Sequence, residues 1–81
     1  MNPNLFVKVD FYLPSEGVAI QASYSIADDA TYQRETKALM KLNNAFEIKR
    51  SIIITADQEQ EIKLGGVKIE VIPIWKWLLE S

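Results

Sequence analysis

The chain has 81 residues, with no cysteine and no histidine. It makes one small domain, near the lower size limit for a core that stands without staples. Disulfides, thiolate metal sites and any triad needing a cysteine or histidine of this chain are excluded.

A hydrophobic content of 48% and a charged content of 25% are those of an ordinary globular domain. The net charge of −2 exerts no global pull on nucleic acid, so such a contact needs a local basic patch. No apolar run is long enough to span a membrane, and no charged segment followed by an apolar stretch opens the chain. The expectation is a cytoplasmic protein without membrane contact.

Residues 5–12 alternate, with Leu5, Val7, Val9 and Phe11 on one face and Phe6, Lys8, Asp10 and Tyr12 on the other. Period two predicts a strand. Pro14, Ser15, Glu16 and Gly17 mark a turn. Residues 18–24 alternate again: Val18, Ile20, Ala22 and Tyr24 form the apolar set, Ala19, Gln21 and Ser23 the other. The two strands pair as an antiparallel hairpin. Matching apolar faces requires partner numbers with an odd sum. A sum of 31 gives a six-residue loop and sets Asp10 against Gln21 and Lys8 against Ser23. A sum of 29 sets Asp10 against Ala19. Both registers leave Lys8, Asp10, Gln21 and Ser23 on one face.

Asp28 and Asp29 suit a helix N-terminus through capping and the macrodipole. Residues 30–46 are rich in helix formers and contain neither Gly nor Pro. Leu39, Leu42 and Phe46, with Glu35 or Tyr32 one or two turns earlier, mark the buried stripe. Asn43 and Asn44 suit a fraying end. Ser51-Ile52-Ile53-Ile54-Thr55 is a short β-branched run, as in a central strand covered on both faces. A strand, a helix of this length and a second strand form a crossover, which predicts that this strand lies parallel to 18–24 with a right-handed connection. Residues 57–61 read as a polar loop. Residues 62–64, Gly65-Gly66 and residues 67–72 read as a tight hairpin, because paired glycines allow the positive φ of a two-residue turn. Pro73 ends that strand, and a short helix follows through residue 81.

The expected fold is therefore α/β: a small mixed sheet, one long crossover helix, a C-terminal hairpin and a short terminal helix, in a single domain over 1–81. Trp75 and Trp77 stand about 200° apart on a helix. One caps the sheet, and the other faces solvent or a partner. Arg34, Lys37 and Lys41 line one helix stripe, and Lys49 and Arg50 follow. These five are the nucleic-acid candidates; the plainer alternative is a solvated helix face balanced by neighbouring acids.

The order of these elements resembles one known group, with Val9-Asp10-Phe11, Ile20-Gln21-Ala22-Ser23-Tyr24-Ser25, Arg34-Glu35-Thr36-Lys37-Ala38-Leu39, Ile52-Ile53-Ile54-Thr55 and Ile72-Pro73-Ile74-Trp75-Lys76-Trp77-Leu78-Leu79. It is similar to the C-terminal domain of unknown function of prokaryotic AAA-type ATPases, a domain like the PD-(D/E)xK restriction endonucleases. The likeness runs from about Phe6 onward. It implies an ATPase module upstream and a nuclease-like core that here lacks its first helix and strand, as in a truncated piece or a relict protein. The chain itself has no Gly-x-x-x-x-Gly-Lys-Ser/Thr segment for ATP.

Nucleases of that fold need an Asp, then Asp or Glu, x, Lys on the next strand. Two carboxylates hold Mg²⁺, the metal activates water and polarises the phosphodiester, and the lysine supports the developing charge. Carried over, Asp10 matches the first acid, Gln21 the second and Ser23 the lysine. Only Asp10 keeps its type. Lys8 could replace the lysine and Glu35 could supply a carboxylate from the helix, which would give an active Mg²⁺-dependent nuclease using Asp10, Gln21, Glu35 and Lys8. The plainer reading makes Lys8 and Asp10 solvated strand charges and Glu35 a surface or helix-pairing residue.

The leading expectation is a catalytically degenerate accessory domain with no metal and no cofactor, contacting protein or nucleic acid. A purely structural or oligomerisation module is the third class. Its partners would be the upstream ATPase, DNA, or a second copy through an open sheet edge or the exposed tryptophan.

Overall fold

The computed structural model describes residues 10–13 and 15–80. Five strands and two helices follow one another: β1 (Asp10–Leu13), β2 (Val18–Ala22), α1 (Asp29–Ala45), β3 (Arg50–Thr55), β4 (Gln60–Leu64), β5 (Val67–Pro73) and α2 (Ile74–Glu80). They build one mixed sheet in the order β1-β2-β3-β5-β4. The β1–β2 and β4–β5 pairs are antiparallel; β2–β3 and β3–β5 are parallel. The small α/β architecture read from the sequence is therefore present, with β1 and β4 as edge strands. No helix among the described residues is long and apolar enough to cross a membrane.

The hairpin register is the one with partners summing to 31: Asp10 pairs Gln21, and Leu13 pairs Val18. Because the ladder runs to Leu13 and Val18, the connection is residues 14–17, four rather than six. Gly17 makes this turn work. Its φ is +68°, and its carbonyl accepts from the backbone N–H groups of Lys49 (2.7 Å) and Arg50 (3.1 Å). The hairpin turn is thereby tied to the start of β3. At the other hairpin Gly65 and Gly66 have φ of +52° and +82°, as a two-residue primed turn requires. Strand β4 begins at Gln60, two residues earlier than the polar composition of 57–61 suggested, because Gln60 and Glu61 find ladder partners in Val71 and Glu70.

Helix α1 is capped as expected. Asp28 is the N-cap, and its Oδ2 accepts from the Thr31 N–H at 3.0 Å and from the Thr31 hydroxyl at 3.2 Å. At the other end Asn43 does not fray. Its Nδ2 donates to the Leu39 carbonyl at 2.8 Å and to Ser51 Oγ at 3.0 Å, joining the helix to β3.

Both sheet faces are covered. On one, Leu39 packs with Ala19, Ile26, Ile53, Ile62, Ile69 and Val71, with Tyr32 and Leu42 at the margin. On the other, Ile20, Ile52 and Ile72 are covered by Val18, Ile54 and Trp77 of α2. Strand β3 is thus buried on both sides, which is why its sequence is a continuous β-branched run.

Two apolar residues leave the core positions expected of them. Tyr24 is 85% exposed, because β2 ends at Ala22 and the chain turns toward the helix. Phe46 is half exposed, because α1 ends at Ala45 and Phe46 is its extended C-cap (φ −136°, ψ 162°).

Candidate functional site

The crossover from β2 through α1 to β3 opens a crevice at the C-terminal ends of the two parallel strands. Crevices there commonly bind ligands in open α/β sheets. A cavity of about 780 Å³ lies there, lined among others by Ser23, Asp28, Thr31, Arg34, Glu35 and Thr55. Of the site residues singled out from sequence, Ser23, Arg34 and Glu35 line it, and Gln21 lies beside Glu35.

Gln21 is central. Ala19, on the same face, packs beneath α1, while Ile20, on the other, packs beneath α2, so Gln21 lies on the side covered by α1. Gln21 is 1% exposed. Glu35 comes down from α1 to meet it and is likewise 1% exposed. Gln21 Nε2 donates to Glu35 Oε1 at 2.7 Å and to the Glu35 carbonyl at 3.3 Å. The surface role considered for Glu35 is therefore corrected. A carboxylate in a helix stripe is buried when a strand amide awaits it, since the hydrogen bond offsets the loss of hydration. Arg34 Nε lies 3.6 Å from Glu35 Oε2, at the exposed end of the group. Gln21 Oε1 is buried and has no hydrogen-bond partner among the described residues.

Asp10 is the direct ladder partner of Gln21, so the two residues are adjacent in the sheet. Lys8 lies outside the described residues, so its pairing with Ser23 does too. Ser23 turns away to the loop, where its Oγ donates to the Ser25 carbonyl at 3.1 Å.

The described donors do not suit a magnesium centre. Such a centre needs oxygen lone pairs directed at one point. Here an amide NH₂ and a guanidinium face the two oxygens of Glu35, and both are hydrogen-bond donors. No three acids, histidines or cysteines converge among the described residues.

The basic candidates separate into two groups. Arg34, Lys37 and Lys41 are exposed along α1. Glu35 is the only acid between Ala30 and Ala45, and it is buried, so that stretch of exposed helix surface carries cations without acids. Lys49 is exposed at the opposite end of the sheet. Arg50 is engaged differently: its Nε and Nη2 make a two-pronged contact with Glu70 across the strands, both bonds 2.8 Å. The hydrogen bond to Glu70 raises the Arg50 pKa, and the same bond lowers that of Glu70. Lys76 pairs with Glu59, whose hydrogen bond raises the lysine pKa.

Several organising residues were not legible from the sequence. Gln58 Oε1 accepts from the Ile26 N–H at 2.6 Å, and Thr55 Oγ1 bonds both the N–H and the carbonyl of Gln58. These contacts close the loops around the crevice. The Ile26–Gln58 bond joins residues 32 apart, and no local pattern announces it.

Compared with known proteins, the chain matches no family model, no curated protein and no solved structure.

Proposed function

We propose that this chain is a catalytically degenerate nuclease-like accessory domain, working beside an upstream ATPase module and contacting a nucleic-acid backbone through the exposed face of α1. The supporting observation is the Gln21–Glu35 pair. Where the resemblance would place a nuclease's second acid stands an amide, and the Glu35 carboxylate that meets it accepts a hydrogen bond from that amide. An amide in place of a carboxylate removes one negative charge from the set that would hold a divalent cation. The Arg34, Lys37 and Lys41 face favours nucleic acid over a purely structural role, because buried Glu35 leaves these cations without exposed acids on the same stretch.

The competing reading, an active Mg²⁺-dependent nuclease, draws on the same delivery of Glu35 to the residue paired with Asp10. Two measurements separate them. Calorimetric titration with Mg²⁺ and Mn²⁺ is expected to show no tight site, and incubation with plasmid and single-stranded DNA no cleavage. Metal-dependent cleavage lost in both Asp10→Ala and Glu35→Ala would overturn the degenerate reading. Fluorescence anisotropy with labelled DNA at low salt tests the contact, and absence of binding there removes the nucleic-acid role.

A further inference from the structure

At the end of the sheet away from the crevice, where the parallel strands β3 and β5 begin, lies a second cavity of about 560 Å³. Its lining includes Asn43, Lys49, Arg50, Ser51, Lys68 and Glu70. Three cations stand there against one carboxylate, a local balance of +2 in a chain whose net charge is −2. Lys49 and Lys68 enter none of the salt bridges among the described residues. Glu80 attracts Arg50 at longer range, but it lines the neighbouring hollow with Glu59 and Glu61 and not this cavity.

The carboxylate does not cancel the site. Both oxygens of Glu70 are taken up by Arg50 Nε and Nη2, which fixes the guanidinium in place. Nη1 keeps its donors, with no partner among the described residues. Ser51 adds a neutral donor. It is 2% exposed, and its Oγ already accepts from Asn43 Nδ2 at 3.0 Å. The hydroxyl proton has no acceptor among the described residues, and a buried donor without one is costly. Two ammonium groups, one end of a guanidinium and a buried hydroxyl thus line one cavity, and all of them donate.

This donor set selects among anions. A carboxylate brings a single charge, whereas a phosphate monoester brings nearly two and three acceptor oxygens. The volume lies within the roughly 300–1,000 Å³ that small-ligand sites occupy, so part of the group bearing the phosphate can enter, beside Ile48 and Val67. We propose that this cavity is a phosphate-monoester site: Lys49, Lys68 and Arg50 Nη1 neutralise the terminal phosphate of a small molecule or of a polynucleotide end, and Ser51 donates to one of its oxygens. The proposal does not rest on the α1 contact, because Arg34, Lys37 and Lys41 do not line this cavity.

The test is proton–nitrogen correlation NMR of the 81-residue chain at fixed ionic strength. The probes are glycerol phosphate and an oligonucleotide with and without a terminal phosphate. Saturable shifts are expected at the Ser51 and Lys68 backbone amides and at the Asn43 side-chain amide. The chain has no histidine or cysteine, so no side chain with an ordinary pKa titrates between about pH 5 and pH 7. The second ionisation of a phosphate monoester falls there, and affinity should rise severalfold across that range. Lys49→Gln combined with Lys68→Gln is expected to weaken binding by about tenfold, with the fold kept because both side chains are exposed. Ser51→Ala should weaken it by about threefold, with circular dichroism checking the fold. Saturation by glycerol phosphate supports a small-molecule source. Saturation only by the phosphorylated oligonucleotide supports a polynucleotide end. Absence of saturable shifts with every probe, an affinity indifferent to pH, or binding unchanged in the double-lysine variant would each overturn the proposal.

Discussion

The side-chain amide of Gln21 and the carboxylate of Glu35 share a 2.7 Å hydrogen bond between strand β2 and helix α1, with each residue 1% exposed. This bond pairs a neutral amide donor with one carboxylate acceptor in a buried setting. It also fastens the helix to the sheet at the rim of the crevice.

Truncating the acceptor therefore costs stability. Glu35→Ala is expected to destabilise the fold by about 2–3 kcal/mol, since the Gln21 amide keeps only the longer bond to the residue-35 carbonyl. Glu35→Gln retains an oxygen and the volume, and is expected to cost about 1 kcal/mol. Urea unfolding of the two variants checks the order. Equal losses would show that the bond contributes nothing specific.

The Arg50–Glu70 pair predicts a pH dependence. Glu70 has a folded-state pKa below its unfolded value, owing first to the hydrogen bond from Arg50. Its stabilisation is present above the unfolded carboxylate range and is lost as pH falls through the folded value. Both side chains are partly exposed, so the contribution is no more than about 1 kcal/mol. The stability gap between wild type and Glu70→Gln should be measurable at pH 7 and close as pH falls below the ordinary carboxylate range and through the lowered folded-state value. A gap that widens on acidification would contradict the assignment.

Two glycines with positive φ separate backbone strain from crowding. At Gly17 an added Cβ would stand 3.1 Å from Lys49 Cγ and 3.3 Å from Lys49 N; at Gly66 it would meet nothing within 4 Å. Gly66→Ala is expected to cost about 1 kcal/mol, from the left-handed conformation alone. Gly17→Ala should cost about 2 kcal/mol or more, because it also strains the link that carries the Lys49 and Arg50 backbone bonds. Thermal denaturation ranks the two.

The tryptophans differ in the same manner. Trp77→Ala uncovers Ile20, Ile52 and Ile72 and is expected to lose about 2 kcal/mol, whereas Trp75→Ala should change monomer stability by no more than about 0.5 kcal/mol. Urea denaturation of the two variants reads this difference.

For the proposed nucleic-acid contact, Lys37→Ala and Lys41→Ala are each expected to weaken binding across unrelated DNA sequences and to reduce the salt slope of log K by about one. Anisotropy titrations at several salt concentrations measure both. An unchanged slope places the contact elsewhere.

By itself the sequence determined the elements and much of their pairing. Period two in residues 18–24, the capping Asp28, the β-branched run of β3 and the paired glycines 65 and 66 are local signals, and local backbone physics acts on them directly. The pleat also restricted the hairpin to two registers, and Asp10 opposite Gln21 is one of them. What only the tertiary structure decided is which helix covers which face: α1 lies over the face of Ala19, and Trp77 of α2 lies over that of Ile20. Ala19 and Gln21 sit beneath α1, so Gln21 and Glu35 become a buried pair, which the pattern of neither element specifies alone. The same packing sends Trp77 inward and leaves Trp75 out, and it commits Arg50 to Glu70, twenty residues away. Periodicity tells a strand which residues share a side, but it is long-range contact that sets which side meets the core.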